Sequence, residues 1–426
     1  MMFQTKRLLP TLFITFLAVA ILGCSPTGFD AWPEQAETFP WVYTPDPDRP
    51  DFVDGRWETE DWGFDDATRS AYYLEKLLSY YTTTSPDVSQ HFSTVQADLP
   101  ALGEGVVISF VGDILPISDN HANFADAVID VVNADYRVAN LETPTSPDHP
   151  VQNSGAPPRF NAPVEMLDGL PFDLLQLNNN HSYDVGDDAI SATKREALNR
   201  GMETTGLNEH ALVTVKESKI GFLSYAWGLN GREDVSTHDL FIIPFGHIGE
   251  DIDLSSMEAH ITAMRERGAE YIVLLVHWGF EYEYYPEPHF MQLARRMVAM
   301  GADVIVGQGP HVVQPAEICW VNYPDQVPGV GTCSIQTADG RARRAAVFYS
   351  LGNFTADLKS RPEFETGIVA KVSLSAGEVT GMGWTPTSVR YEPVRVLPTD
   401  EYLDEEDLAQ ESERLDGHLG SGWRLP

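Results

Sequence analysis

The chain has 426 residues with 28 Lys or Arg against 63 Asp or Glu, a formal net charge of −35 and a sequence pI of about 4.5. So acidic a surface repels phosphate backbones, which excludes nucleic acid as a partner, and any anionic ligand needs a local positive centre such as a metal ion. A hydrophobic share of 43% and an aromatic share of 11% are those of a packed globular protein, long enough for one large domain with appendages or for two domains.

The N terminus reads MMFQTKRLLPTLFITFLAVAILGC. Lys6 and Arg7 precede an apolar stretch of about fifteen residues, the length of a signal-peptide core rather than of a membrane span. It closes on Ile21-Leu22-Gly23-Cys24, which resembles the bacterial lipobox. Residues 1–23 are therefore predicted to be a lipoprotein leader, and Cys24 the lipidated N terminus of a protein held in the cell envelope. The bland alternative is a buried thiol near a cleavage site. Ser25 rather than an aspartate follows, which by resemblance to Gram-negative sorting points to the outer membrane.

Residues 24–66 are rich in Pro, Trp, Asp and Glu, with Arg49 and Arg56 the sole basic residues. They read as an extended tether that Trp32, Trp41, Trp57 and Trp62 pack partly onto the domain. A helical extension over 67–105 follows, with Tyr73, Leu74, Leu77 and Leu78 on one face of a helix from Ala67 to Tyr81. The body, 106–400, opens with the buried-strand pattern VVISFVG, then a helix from His121 to Val132 and the strand RVANLE. After it come LLQLNNNH with a helix from Asp187 to Arg200, a short strand at Glu203–Thr205, and the hairpin-like pair ALVTVKE and KIGFLSYAWG. The pattern continues with a helix over Ser255–Arg267, strand YIVLLVHWG, helix Gln292–Met300, strand DVIVGQG, strand AVFYSLGNF and a β-rich stretch to residue 397. Residues 401–426 form an acidic tail with a surface helix. Helices and strands in alternation, then antiparallel strands, predict an α/β core with mixed sheets. Cys319 and Cys333 bracket a loop whose closure by a disulfide is worth about 3 kcal/mol in an oxidising compartment. Two free buried thiols are the alternative.

The chemistry concentrates in LLQLNNNHSYDVG, Leu174–Gly186. Strand, polar turn and helix place side chains at the carboxyl end of a strand, where α/β folds bind ligands. Asn180 offers an amide oxygen, His181 a proton or lone pair, and Asp184 a carboxylate; a turn held by asparagine–backbone bonds is the dull reading. Four more apolar strands end alike: VGD at Asp113, NLE at Glu142, HWG at His277 and GQGPH at His311. Singly, each has a plain structural role, as a helix cap, an ion pair or a core histidine. Together they are the ligand set for one or two divalent ions such as Mn, Fe or Zn, and they predict one shared site.

The set FVGDILP, ANLETPTS, LNNNHSYDVGDDAI, VHWGFEYEYYPEPH, VGQGPHVVQPAEI and YSLGNF, in this order over about Val106–Phe354, resembles the poly-γ-glutamate capsule-synthesis protein family, CapA. That family in turn is similar to the calcineurin-like metallophosphoesterases. The resemblance implies two packed mixed β-sheets flanked by helices. It makes Asp113 the first metal-binding aspartate, Glu142 a bridging carboxylate, Asn180 a ligand, His181 the proton donor to a leaving group, and His277 and His311 the later ligands. Glu281, Tyr282 and Asn353 are typical of the family too, and with Gln308 they are assigned to the surroundings of the cofactor; Ser350 and Gly352 shape the site. Two departures count. Leu115 stands where a phosphoesterase has a histidine, and Gln308 or Gly309 where its last motif has another, so one metal or two weakly held ones are expected, with Gln308 and Asp184 as compensating oxygen donors. The implied function is the synthesis, export or turnover of an anionic capsular polymer such as poly-γ-glutamate. A metal-dependent hydrolase-like site acting on an amide or phosphoester, with His181 and Asp184 catalytic, is one form of it. A non-catalytic polymer-binding or assembly factor is the other, and a solute-binding lipoprotein is a distant third.

Overall fold

The computed structural model describes residues 88, 91–92, 102–154, 159–230, 240–243, 252–279, 281, 283–324, 331–356 and 362–425. The tether, the leader and the helix over 67–81 lie outside them. The described residues other than Ile252 belong to one compact unit. Among the described residues no helix is long and apolar enough to cross a membrane.

The strands are β1 (Val106–Ile114), β2 (Tyr136–Leu141), β3 (Gln152–Ser154), β4 (Arg159–Asn161), β5 (Leu174–Gln176), β6 (Glu203–Thr205), β7 (Ala211–Val215), β8 (Ser218–Ala226), β9 (Tyr271–His277) and β10 (Val304–Gln308). They continue as β11 (Ala316–Val321), β12 (Thr332–Ile335), β13 (Arg343–Phe348), β14 (Asn353–Thr355), β15 (Thr366–Ser375), β16 (Glu378–Arg390) and β17 (Arg395–Pro398). The longer helices are α1 (Asp187–Asn199), α2 (Ser255–Glu266), α3 (Pro288–Met300) and α4 (Glu405–Leu419). One sheet runs β17-β16-β15-β1-β2-β5-β6 with β14 added to β1, and the other β12-β11-β13-β10-β9-β8-β7, so the fold is α/β with two mixed sheets flanked by helices. In the first sheet β1, β2, β5 and β6 run parallel and β15, β16 and β17 follow antiparallel; in the second β13, β10, β9 and β8 run parallel, with antiparallel β11 on one side and antiparallel β7 on the other. The pattern follows from composition. YIVLLVH of β9 is buried along its whole length, as a central parallel strand covered on both faces must be. The antiparallel β7–β8 hairpin instead turns at Lys216, whose φ is 52°.

Three sequence expectations change. His121–Val132 is not one helix: a 3-10 turn over Asp126–Val128 leads into a single α turn over Ile129–Val132, without a side-chain cap at either start. The run Val128-Ile129-Asp130-Val131-Val132 is rich in β-branched residues, which lose rotamer freedom in a helix, so little sustains a longer one. AVFYSLGNF is not one strand either. Phe348 ends β13 in the second sheet, and Asn353 begins β14 in the first, parallel to β1. Between them the chain crosses from sheet to sheet. A β-carbon on Gly112 would meet the Gly352 oxygen at 1.8 Å, and one on Gly307 would meet the Tyr349 oxygen at 2.0 Å, so glycine in β1 and β10 makes room for the crossing. α3 also begins at Pro288, four residues before the expected Gln292, because proline is tolerated in a first turn, where the N–H has no partner.

Cys319 and Cys333 are register partners on neighbouring parallel strands and form a disulfide. The acidic tail is a capped helix: Asp404 accepts from the N–H groups of Glu406 and Asp407. Leu415, His418, Leu419 and Trp423 are buried, and the Trp384 indole on β16 donates to the Gly420 carbonyl.

Candidate metal centre

β1, β2 and β5 of the first sheet and β9 and β10 of the second bring their carboxyl ends to one seam. Asp113 sits at the end of β1, Glu142 just past β2, His277 closes β9, and His311 follows β10 by three residues. Donor atoms of Asp113, Glu142 and His277 all lie within 4.8 Å of one another, and all three side chains are buried. His277 Nε2 is 3.4 Å from Glu142 Oε1. His311 stands beside this trio, its Nδ1 3.2 Å from Asp113 Oδ2 and 3.9 Å from Glu142 Oε2, and 2.9 Å from Asn353 Oδ1. Its backbone has φ 60°, a left-handed value unusual for a residue with a β-carbon. The preceding Gly309, at φ 108°, turns its N–H onto Asp113 Oδ2 at 3.1 Å.

The three asparagines divide the labour of the turn after β5. Asn178 Nδ2 reaches across to the second sheet, donating to the Ser224 and Phe241 carbonyls at 3.2 and 2.9 Å. Asn179 accepts the His181 N–H at 3.1 Å and donates to Asn140 Oδ1 at 3.0 Å. Asn180 keeps its buried amide oxygen without a hydrogen-bond partner among the described residues. His181 Nδ1 is 2.7 Å from Asp184 Oδ2, which also accepts the Phe160 N–H at 2.7 Å, and the Phe160 ring lies 4.2 Å from the imidazole. Asp184 thereby orients His181, leaving Nε2 as the second ring nitrogen for chemistry.

Electrostatics favour a cation. Burial and the charge of Asp113 push the Glu142 carboxyl well above the usual carboxylate range. Burial would also raise Asp113, but the hydrogen bond and charge of His311, with His277 and Asn140, hold it low. Burial would lower His311, yet Glu142 and Asp113 lift it to about 10. Burial brings His277 down to about 3, so its imidazole is neutral and has a lone pair to offer. Both Glu142 oxygens, Asn180 Oδ1 and Gln308 Oε1 are buried acceptors without a hydrogen-bond partner among the described residues. Unmet oxygens beside a neutral imidazole and a carboxylate are a donor set that a divalent ion satisfies.

Asp113, Glu142, His277 and His311 thus come together, with Asn353 bonded to His311. Glu281 is buried and acts electrostatically on both Glu142 and His311. Gln308 pairs in register with His277. Tyr282 and Cys24 lie outside the described residues. Three neighbours escaped the sequence reading. Asn140 Nδ2 donates to Asp113 Oδ1 at 2.8 Å and lies 3.4 Å from His277 Nδ1; its signal was an amide inside the otherwise apolar end of β2. Asn179 was hidden by its two neighbours, and Phe160 comes from a separate hairpin that no local pattern links to His181. Leu115 packs with Phe160 and Ala356 in a small apolar cluster and offers no ligand.

Residues 97–358 match the family described as bacterial capsule synthesis protein PGA_cap. The PGA biosynthesis protein CapA of Bacillus subtilis (strain 168) is 27% identical over 268 residues, 58% of this chain and 63% of that protein. The capsule biosynthesis protein CapA of Bacillus anthracis is 33% identical over 93 residues, 22% of this chain and 17% of that one. The chain thus matches less than two thirds of the length of either relative. Among solved structures, a hypothetical protein from Thermus thermophilus aligns with a TM-score of 0.33 at 14% identity, over 66% of this chain and 98% of that one.

Proposed function

The chain belongs to the bacterial capsule synthesis protein family PGA_cap, and from that premise we propose that it acts in the cell envelope on an anionic capsular polymer such as poly-γ-glutamate, or on its precursor, through a metal-dependent hydrolase-like site. The observation that carries this reading is the buried trio Asp113, Glu142 and His277, with Glu142 lacking a hydrogen-bond partner among the described residues. Asp113, Glu142 and His277 would hold a Mn, Fe or Zn ion, with Asn180 and His311 beside them. Such an ion lowers the pKa of water and supplies the positive centre that an acidic protein needs to approach a carboxylate-rich or phosphorylated substrate. His181 does the proton work: with Nδ1 held by Asp184, Nε2 is the nitrogen that, in the protonated ring, delivers a proton to the leaving nitrogen or oxygen. Asn353 fixes the His311 ring, and Phe160 shields the imidazole of His181. Cys24, lipidated after removal of residues 1–23, anchors the protein to the membrane, with 24–66 as a tether.

A second reading, a polymer-binding assembly factor using the same cleft, draws on Leu115, which builds an apolar wall where a further ligand would strengthen the centre. Metal analysis followed by a screen of phosphoester and γ-glutamyl substrates separates the two. His277→Ala should lose the ion, and His181→Ala should keep it and lose turnover. Retention of metal in His277→Ala refutes the site. Bound metal without turnover of any substrate leaves the assembly reading. A Cys24→Ala variant that is processed and fractionates like the parent refutes the anchor.

A further inference from the structure

The C-terminal helix lies beyond the matched residues 97–358, yet it reaches the loops that carry the centre. Arg414 Nη1 donates to the Val313 carbonyl at 2.9 Å, two residues past His311. The same guanidinium stands 5.3 Å over the Tyr284 ring, three residues past Glu281. Glu411, on the preceding turn, holds it through two hydrogen bonds, to Nε at 3.0 Å and to Nη2. His418, on the following turn, packs on Tyr285 with ring centres 4.7 Å apart. The two loops are tied to each other by Gln314 Nε2, which donates to the Glu283 carbonyl at 2.7 Å. His311 itself sits in left-handed backbone, a conformation that persists only where its surroundings hold it.

We propose that α4 is a positioning element of the metal centre, with Arg414 as the residue that fixes the His311 and Glu281 loops against each other. This rests on the metal reading above. Arg414 touches neither ion nor substrate; it acts through Val313 and Tyr284. Docking of the helix as such is carried elsewhere, by Leu415, Leu419 and Trp423 in the core and by Arg424 over the Trp384 ring at 5.3 Å.

The test titrates Mn2+ by calorimetry into the full chain and into Arg414→Ala, Arg414→Lys and Arg424→Ala, with a thermal unfolding midpoint for each without metal. Partners outside the ligand shell typically contribute about 10–100-fold in affinity, so Arg414→Ala should weaken binding by about tenfold or more. Lysine cannot grip Glu411 with two bonds and reach Val313 at once, so Arg414→Lys should fall between. Arg424→Ala should lower the midpoint and leave the affinity unchanged. Unchanged affinity in Arg414→Ala, or in Arg414→Lys where the alanine variant does not fold, overturns the positioning role and leaves the metal reading standing. A parent chain that takes up no Mn2+ overturns both.

Discussion

One amide, that of Asn140, joins an aspartate from β1 to the closing histidine of β9 and is itself held by Asn179. Asn140→Ala removes the donor to Asp113 and a close neighbour of His277, and should weaken Mn2+ binding by about 10–100-fold, read by calorimetry, with little change in the metal-free fold. A second buried group sets acid stability. Burial alone would raise the Glu317 carboxyl; the charge of Arg295 and the hydrogen bond and charge of His91 bring it instead to about 2, and the Tyr349 hydroxyl donates to it at 3.0 Å. A carboxyl depressed in the folded state stabilises the protein above its ordinary range and loses that contribution as pH falls towards 2. Glu317→Gln should therefore cost roughly 3 kcal/mol at pH 7 and flatten the decline in urea stability on acidification. An equal acid decline in parent and variant would show that Glu317 does not set it. Asp113 and His277 were legible because a charged or ionisable side chain directly after an apolar strand is conspicuous. Glu317 and Asn140 were not, since a polar residue within a strand reveals its partners only once the neighbouring strand is known.

Among the elements, the long uniformly apolar strands were legible from composition, and α1 from the helical spacing of Ile190, Thr193 and Ala197. The crossing between β13 and β14 was not. AVFYSLGNF is apolar but for Ser350 up to its glycine, and nothing local says that its two ends belong to different sheets. The disulfide was half legible: the sequence supplied two cysteines and a loop, and the parallel pairing of β11 with β12 placed them opposite each other. With a sequence separation of 14 between the partners, Cys333→Ser should destabilise the protein by about 3 kcal/mol in chemical denaturation. Mn2+ affinity should not change, because the bridge lies at the edge of the second sheet rather than at its site-bearing centre.

For the whole molecule, the charge of −35 decides how an anionic polymer is met. Proteins that bind polyanions through basic patches lose affinity as salt rises. Here the long-range field is repulsive, so the association rate with poly-γ-glutamate in the presence of Mn2+ should rise with salt from about 10 to 150 mM, as the screening length shortens from roughly 30 to 8 Å. A stopped-flow series showing the opposite slope would point to a basic contact surface instead. The sheet-to-sheet crossing bears on access as well. Residues 349–352 run from one sheet to the other, tight against Gly112 and Gly307 and directly below the centre. Among the described residues this stitch through the middle ties the two sheets together and opposes their parting like jaws. On the function proposed above, a polymer would come to the centre over the rim of loops at the strand ends, offering a terminus or a single linkage, with its length outside the fold.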